Sequence, residues 1–419
     1  MNEKSVDPAH LETLYEVTRY LNSSLDMAEV LNMIMDRVVQ VTNAERGFLV
    51  LVDEVGETWE FQVARGMDQQ VLDTPEFEVS STIIREVISS REPLLTLNAQ
   101  YDKRLGGQSI VAKGLRSILC VPILVRQRLI GLVYVDNRLK AGIFDEGHRD
   151  LLVAFASEAG FAIENARLYK LAVDQGRMQR ELEMAWNIQR GLLPAQFEPV
   201  PGYEVAFDWQ AAREVAGDFY DFFKLDHSQM GVVVADVSDK GAAAAIYMAV
   251  ARSLFRGNAY ANIEPTETVQ QTNTLLLEDS TGGMFVTLYY AVFGDAGLVQ
   301  CVNAGHNRPM LYRASDDHVE FLPKGGTPLG WFPTIKLKMH QYHLQLGDVM
   351  IFYTDGLTEA ENISQEPYGE ERLVQTVRES AGQPAGEIKA AILESVRDFE
   401  GNAPAFDDLT LVVVRYVGT

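Results

Sequence analysis

Aspartates stand at the ends of apolar runs in four places in the C-terminal half of this 419-residue chain. Gly231-Val232-Val233-Val234-Ala235 runs into Asp236, and Val349-Met350-Ile351-Phe352-Tyr353-Thr354 runs into Asp355. Asp407 and Asp408 immediately precede Leu409 to Val414, and Asp218 follows Val215-Ala216-Gly217. Short apolar runs of this kind read as buried strands. A buried strand end is a costly place for an unpaired carboxylate, so several of these groups call for a neutralising cation. Carboxylates alone make an all-oxygen ligand set, which suits magnesium or manganese and disfavours zinc. No His-rich or Cys-rich ligand pattern competes. Gly217, Gly241 and Gly356, beside the aspartates, would let backbone approach a metal or a phosphate closely. A single aspartate in such a setting is more often a turn or cap residue; four similar settings outrun that explanation.

The elements that must position these groups begin at about residue 197. From there to about 416 the sequence alternates strands with two helical stretches, Ala242 to Tyr260 and Gly386 to Glu400, which predicts an α+β domain. Ahead of it a helix is predicted from Leu151 to about Leu193, with Leu171, Met178, Ala185 and Leu192 spaced by seven. Gly160, Gly176 and Gly191 weaken it, and Pro194 ends it. Upstream lie a helix around Val30 to Thr42 and strands at Gly47 to Val52, Trp59 to Ala64, Ile118 to Val125 and Leu129 to Asp136, a second α+β unit with a mainly antiparallel sheet. Leu11, Leu14, Thr18, Leu21 and Leu25 alternate steps of three and four, either the seam of a dimeric coiled coil or a helix packed on its own domain.

Acidic residues number 59 against 36 basic, a formal charge of -23, so a nucleic-acid or anionic-lipid partner would be repelled. The longest apolar runs, Ile118 to Val125 and Ala242 to Ala251, fall far short of the ~18 residues that span a bilayer. Met1 to His10 lacks a basic-then-apolar leader pattern, and the expected location is the cytoplasm. Cys120 and Cys301, each in an apolar stretch, exclude a disulfide framework or a cysteine-rich zinc site.

Two resemblances sharpen this reading. Arg116-Ser117-Ile118-Leu119-Cys120-Val121-Pro122-Ile123, then Leu129 to Asp136, then the helix Leu151 to Tyr169 with Ala162-Ile163-Glu164-Asn165-Ala166-Arg167-Leu168, resemble the GAF family of sensory domains. The ligand of such a domain is unassigned here: Cys120 sits mid-strand, where a small buried thiol suffices, and Phe144-Asp145-Glu146 is a fragment of the cyclic-nucleotide subgroup's signature. Further on come Val215-Ala216-Gly217-Asp218-Phe219-Tyr220-Asp221, Asp236-Val237-Ser238-Asp239-Lys240-Gly241, Met284-Phe285-Val286-Thr287-Leu288 and Asn303-Ala304-Gly305-His306-Asn307. After these stand Gly326-Thr327-Pro328-Leu329-Gly330, Tyr353 to Ala360 and Asp407-Asp408-Leu409-Thr410. In that order they resemble the motifs of SpoIIE-type serine phosphatases, in the metal-dependent protein phosphatase 2C superfamily.

The SpoIIE resemblance implies a β-sandwich flanked by helices and two Mn2+ or Mg2+ ions at one end. It implies metal-site roles for Asp218 and Asp236, the latter bridging both ions, for the Val237 carbonyl, and for Asp355 and Asp407, with Asp408 the competing choice for the last. Two-metal chemistry of that class activates a water in line with the phosphorus and needs no covalent protein nucleophile. Arg213 matches a phosphate-binding arginine. Ala216 stands where the family usually has glycine, and Lys240 where some relatives carry histidine, so Lys240 either steadies phosphate or lies on the surface. His306 matches a structural corner. Cys301 and Arg308 are one position too far apart for a cysteine-phosphatase loop.

The layout expected on this basis is an N-terminal helix over 1–27, a GAF domain over 28–169, a helical linker over 170–196 and the phosphatase domain over 197–419. The function expected is a GAF-regulated phosphoserine or phosphothreonine phosphatase acting, as a homodimer, on a phosphorylated anti-sigma-factor antagonist. The alternative is a catalytically inactive signalling scaffold. A diguanylate cyclase, faintly echoed by Ala216-Gly217-Asp218-Phe219, lacks the required glutamate.

Overall fold

The computed structural model describes residues 26–53, 58–66, 80–99, 115–226, 228–261, 264–279 and 283–418. The leucine pattern from Leu11 to Leu25 lies outside them. The chain divides into two compact units, with the division between Arg177 and Met178.

In the first unit, α1 (Met27–Thr42) starts where Asp26 Oδ1 accepts hydrogen bonds from the Ala28 and Glu29 amides, and it buries Val30, Leu31, Ile34, Met35 and Val38 at helical spacing. Five antiparallel strands follow: β1 (Arg46–Val52), β2 (Trp59–Gly66), β3 (Leu94–Thr96), β4 (Ser117–Val125) and β5 (Arg128–Asn137), in the order β2-β1-β5-β4-β3. Alternation along β4 separates two cores. Leu119 and Val121 pack with α1 and with Leu152, Phe155, Ala159 and Ile163 of the long helix. Ile118 and Cys120 face α2 (Ser81–Ser90) with Phe48 and Tyr134. Cys120 is a buried free thiol, its pKa raised by burial. Arg46 and Asp136, opposite each other on β1 and β5, form a buried two-pronged ion pair at 2.9 and 2.7 Å.

Helix α3 (Glu146–Leu192) runs 47 residues without interruption, so Gly160 and Gly176 are tolerated within it. The sevenfold apolar seam changes character along its length. Leu171 and Met178 are exposed, whereas Ala185 and Leu192 are half-buried beside α4 (Ala242–Ala261) of the second unit. The end of α3 is thus part of the C-terminal unit, not only a tether to it.

The second unit is a sandwich of two five-stranded antiparallel sheets. One has the order β13 (Met339–His343), β10 (Leu298–Ala304), β9 (Val286–Phe293), β8 (Met230–Val237), β7 (Phe219–Lys224); the other β12 (His318–Phe321), β11 (Met310–Arg313), β14 (Val349–Tyr353), β15 (Leu409–Tyr416), β6 (Tyr203–Gln210). Period-two alternation decides which side chains meet between them: Val412, Val414 and Phe352 face the core shared with Val232, Val234 and Leu288. Leu411, Val413 and Ile351 point outward to α7 (Gly369–Ser380) and α8 (Ala385–Glu400). On the other side α4 and α5 (Pro265–Asp279) cover the first sheet. Besides the two helices expected from sequence, α5, α7 and the short α6 (Asp355–Thr358) are present. The Thr- and Gln-rich α5 shows little helical periodicity of its own and is held by packing.

Candidate metal centre

Strand ends from both sheets deliver the aspartates to one end of the sandwich. Asp218 immediately precedes β7, Asp236 is the penultimate residue of β8, Asp355 opens α6 with Thr354 alone between it and β14, and Asp407 and Asp408 lead into β15. Asp218 is buried, and its Oδ2 accepts hydrogen bonds from Thr354 Oγ1 at 2.6 Å and Thr410 Oγ1 at 2.8 Å. Burial, followed by repulsion from Asp236 and Asp408, holds its pKa well above the ordinary carboxylate range. Burial and then the charges of Asp355 and Asp407 push Asp236 up to about 7. Asp355 is raised by burial and by Asp407. Five carboxylates therefore lie within electrostatic reach of one another in a water-poor setting.

Each of the outer two has found a protein partner. Asp408 accepts from the Ala212 and Gly217 amides, both at 2.8 Å, and so clamps the loop that leads to Asp218. Asp407 accepts from the Asp408 amide at 2.9 Å and pairs with Lys240 Nζ at 2.8 Å. Among the described residues, no three His, Cys, Asp or Glu side chains are drawn together tightly enough to enclose an ion as they stand. Like charges face one another, and the partners just named hold Asp407 and Asp408 aside.

Glycine matters at two points. A Cβ on Gly356 would sit 2.1 Å from the Asp408 carbonyl oxygen, and one on Gly217 would sit 3.1 Å from the Val237 carbonyl oxygen. The first lets α6 abut the start of β15; the second brings the Asp218 turn against the Val237 carbonyl.

The remaining residues singled out from sequence lie as follows. Arg213 stands exposed in the loop before Asp218. Lys240 is 41% exposed and also packs over the Phe406 ring, so it belongs to the Asp407 side of the site. His306 is buried at a strand-to-loop corner, with its Nδ1 2.9 Å from Thr287 Oγ1 and its amide donating to Asn303 Oδ1 at 2.8 Å. Burial lowers its pKa to about 3, so the ring is neutral and structural. Cys301 is a buried free thiol with its pKa raised to about 11, which removes it as a nucleophile. Thr354, Thr410 and Gln189 escaped the sequence reading. The two threonines lie inside quoted motifs as the residue before Asp355 and the second after Asp408, and only the fold aims both at Asp218.

The architecture is that of the PP2C-type phosphatases. The chain superposes on the SiaA-PP2C domain of Pseudomonas aeruginosa with a TM-score of 0.52 and 19% identity, covering 58% of this chain and 99% of that domain. Residues 226–417 match the family of Stage II sporulation protein E, SpoIIE, and residues 24–164 match the GAF domain family. The chain thus carries a segment that matches the GAF domain family ahead of one that matches the SpoIIE family. Asp236, Lys240, Asp355, Asp407 and Asp408 fall within the SpoIIE match, while Arg213 and Asp218 precede it. Protein IcfG of Synechocystis sp. is 27% identical over 270 residues, 58% of this chain and 42% of IcfG. Phosphoserine phosphatase RsbU of Bacillus subtilis is 26% identical over 245 residues, 58% of this chain and 71% of RsbU. The chain thus spans less than half of IcfG.

Proposed function

We propose that this protein is a metal-dependent serine/threonine protein phosphatase under the control of its GAF domain. The observation that carries the reading is the convergence of five aspartates at one sandwich end, with Asp218, Asp236, Asp355 and Asp408 all raised in pKa by burial and then by the charges of neighbouring aspartates, Asp407 among them. Oxygen-only donors of this kind fit Mn2+ or Mg2+. Asp218, Asp236, Asp355, Asp407 and the Val237 carbonyl would hold two such ions. Asp408 is the structural member of the adjacent pair, because both of its oxygens already serve the 212–217 loop. Bound there, the metal would supply an activated water and neutralise the phosphoryl oxygens.

The chain's own residues do the rest. Thr354 and Thr410 fix the Asp218 carboxylate in one orientation. Arg213, exposed and with a planar fork of donors, grips the phosphomonoester of the incoming protein. Lys240, paired with Asp407 at 2.8 Å, would be available to the phosphate were Asp407 to ligate a metal.

The substrate class is a phosphorylated anti-sigma-factor antagonist, in keeping with the similarity to RsbU, and the location is the cytoplasm; among the described residues no helix is long and apolar enough to cross a membrane. Exposed Leu168, Leu171 and Met178 along α3 would pair with a second copy, making the working unit a dimer.

The test is phosphate release from phosphoserine antagonist proteins by the full chain. Release with Mn2+ that EDTA abolishes is the expected result; no release from any of them by a folded, Mn2+-loaded chain would favour the scaffold alternative. Within that assay, Arg213→Ala should raise KM by about tenfold while kcat stays within about twofold, because a ground-state phosphate grip is lost equally in the transition state. An unchanged kcat/KM would return Arg213 to an ordinary surface charge.

A further inference from the structure

Beside the metal centre three aromatic rings are stacked one on another at the surface. Phe285 lies nearly parallel to Trp331, with ring centroids 4.8 Å apart at 9°, and Trp331 to Phe332, 5.6 Å apart at 15°. Trp331 is 54% exposed and Phe332 49%. Single exposed apolar side chains are ordinary, whereas contiguous aromatic surface marks a place of contact.

This exposure is built into the fold. Asn273 of α5, itself buried, donates from Nδ2 to the Phe332 carbonyl at 3.0 Å and accepts at Oδ1 from the Gly330 amide at 2.9 Å, so one side-chain amide brackets Trp331 on both sides. Leu329 exchanges two backbone hydrogen bonds with Val286, at 2.8 and 2.9 Å. The stack is tied to the aspartate end of the sandwich as well. The Phe285 amide donates to Ser238 Oγ and the Ser238 amide to the Phe285 carbonyl, both at 2.9 Å. Ser238 is the second residue after Asp236, and Phe285 the second before Thr287, the backbone partner of Asp236. Two residues of extended chain span about 7 Å.

We propose that the Phe285, Trp331 and Phe332 stack is the docking surface for the phosphoprotein substrate, taking an apolar side chain that the substrate presents within a few residues of its phosphoserine. This rests on the phosphatase reading above. A formal charge of -23 repels a phosphorylated partner at long range, so affinity for the protein has to come from short-range burial, and tryptophan is among the side chains that supply most of it at interfaces. A small phosphate ester reaches the metal centre without touching the rings; a folded partner spans both. A second copy of this chain seated on the rings would cover the site that substrate must enter.

The experiment gives the full chain, with Mn2+, two substrates: a serine-phosphorylated antagonist protein, and para-nitrophenyl phosphate, which carries the ester without a protein surface. Trp331→Ala should raise KM for the phosphoprotein by about tenfold with kcat within about twofold, since docking is lost equally from ground and transition states, and the loss should be confined to that substrate. Trp331→Phe, which keeps a ring against Phe285, should recover most of the affinity. Phe332→Ala should raise the same KM by a smaller factor, and it carries the test if Trp331→Ala does not fold. Leu346→Ala serves as the comparison. That side chain is 71% exposed at the opposite end of the sandwich, where the Gly347 amide bonds the Tyr416 carbonyl, and its loss should alter neither substrate. A phosphoprotein KM within twofold of the unaltered chain's in the folded variants, or an equal loss toward both substrates, would overturn the docking and leave the phosphatase standing. So would release from the nitrophenyl ester alone, or loss of a dimer by Trp331→Ala in sedimentation, which would give the rings to a second copy. No release from either substrate by the unaltered, folded chain would overturn the phosphatase reading and the docking with it.

Discussion

Replacing Asp236 by asparagine should abolish Mn2+-dependent phosphatase activity and leave the protein folded, with a metal-free melting temperature at or above that of the unaltered chain. Asp236 lies between its neighbours: burial and the charges of Asp355 and Asp407 push it up to about 7, and Asp218 stands beside it. As one of the residues proposed to hold the ions, it is the carboxylate whose loss would most disturb metal binding. The loss of several kcal/mol of metal-assisted stabilisation corresponds to a fall in kcat on the order of 10³-fold or more. Stability should move the other way. At pH 8 the ionised Asp236 repels its neighbours in the metal-free fold, and the neutral amide relieves that repulsion without touching the β8–β9 ladder, in which residue 236 pairs through its backbone with Thr287. Added Mn2+ should raise the melting temperature of the unaltered protein and do so far less for Asp236→Asn. Phosphate release together with melts with and without Mn2+ checks both halves. Near wild-type turnover in the variant would remove Asp236 from the site.

Much of this site was legible because the chemistry and the strand pattern coincide in the sequence. Asp236 and Asp355 end apolar runs, and the runs are strands β8 and β14 almost residue for residue. Asp407 and Asp408 were indistinguishable by adjacency. They differ in which way each carboxylate turns, toward the 212–217 loop or toward Lys240, and that depends on tertiary contacts 167 to 196 positions away in the chain. Thr354 and Thr410 were hidden for the same reason: a threonine at the end of one apolar run or the start of another reads as part of a strand until the fold brings its hydroxyl to Asp218. Gln189 was hidden more thoroughly. A glutamine in a long polar helix carries no signal, and its burial follows from α4 lying across that face. The first unit followed its periodicity closely at α1, β1, β4 and β5, since one buried face per element is what alternation encodes.

Insertions in α3 should show whether rotation of that helix reaches the active centre. The helix is continuous through Gln175 and Gly176; Leu168, Leu171 and Met178 are exposed, while Ala185, Gln189 and Leu192 lie beside α4 within the second unit. An uninterrupted helix would pass on rotation if it is stiff, whereas a flexible tether would dissipate it. Four residues inserted after Gln175 turn the downstream helix by roughly 40° relative to the upstream part, while seven preserve a heptad seam. If paired helices in a dimer hold the upstream part fixed, the four-residue insertion must either break the seam or twist the Gln189 end against α4. Its Mn2+-dependent activity should therefore depart from that of the intact protein by several-fold and no longer respond to conditions that alter the latter. The seven-residue insertion should stay within about twofold and keep the response. Sedimentation of all three proteins distinguishes a lost dimer from a rotated one. Should both insertions match the intact protein in activity and response, α3 is a passive tether and the GAF domain acts by another route.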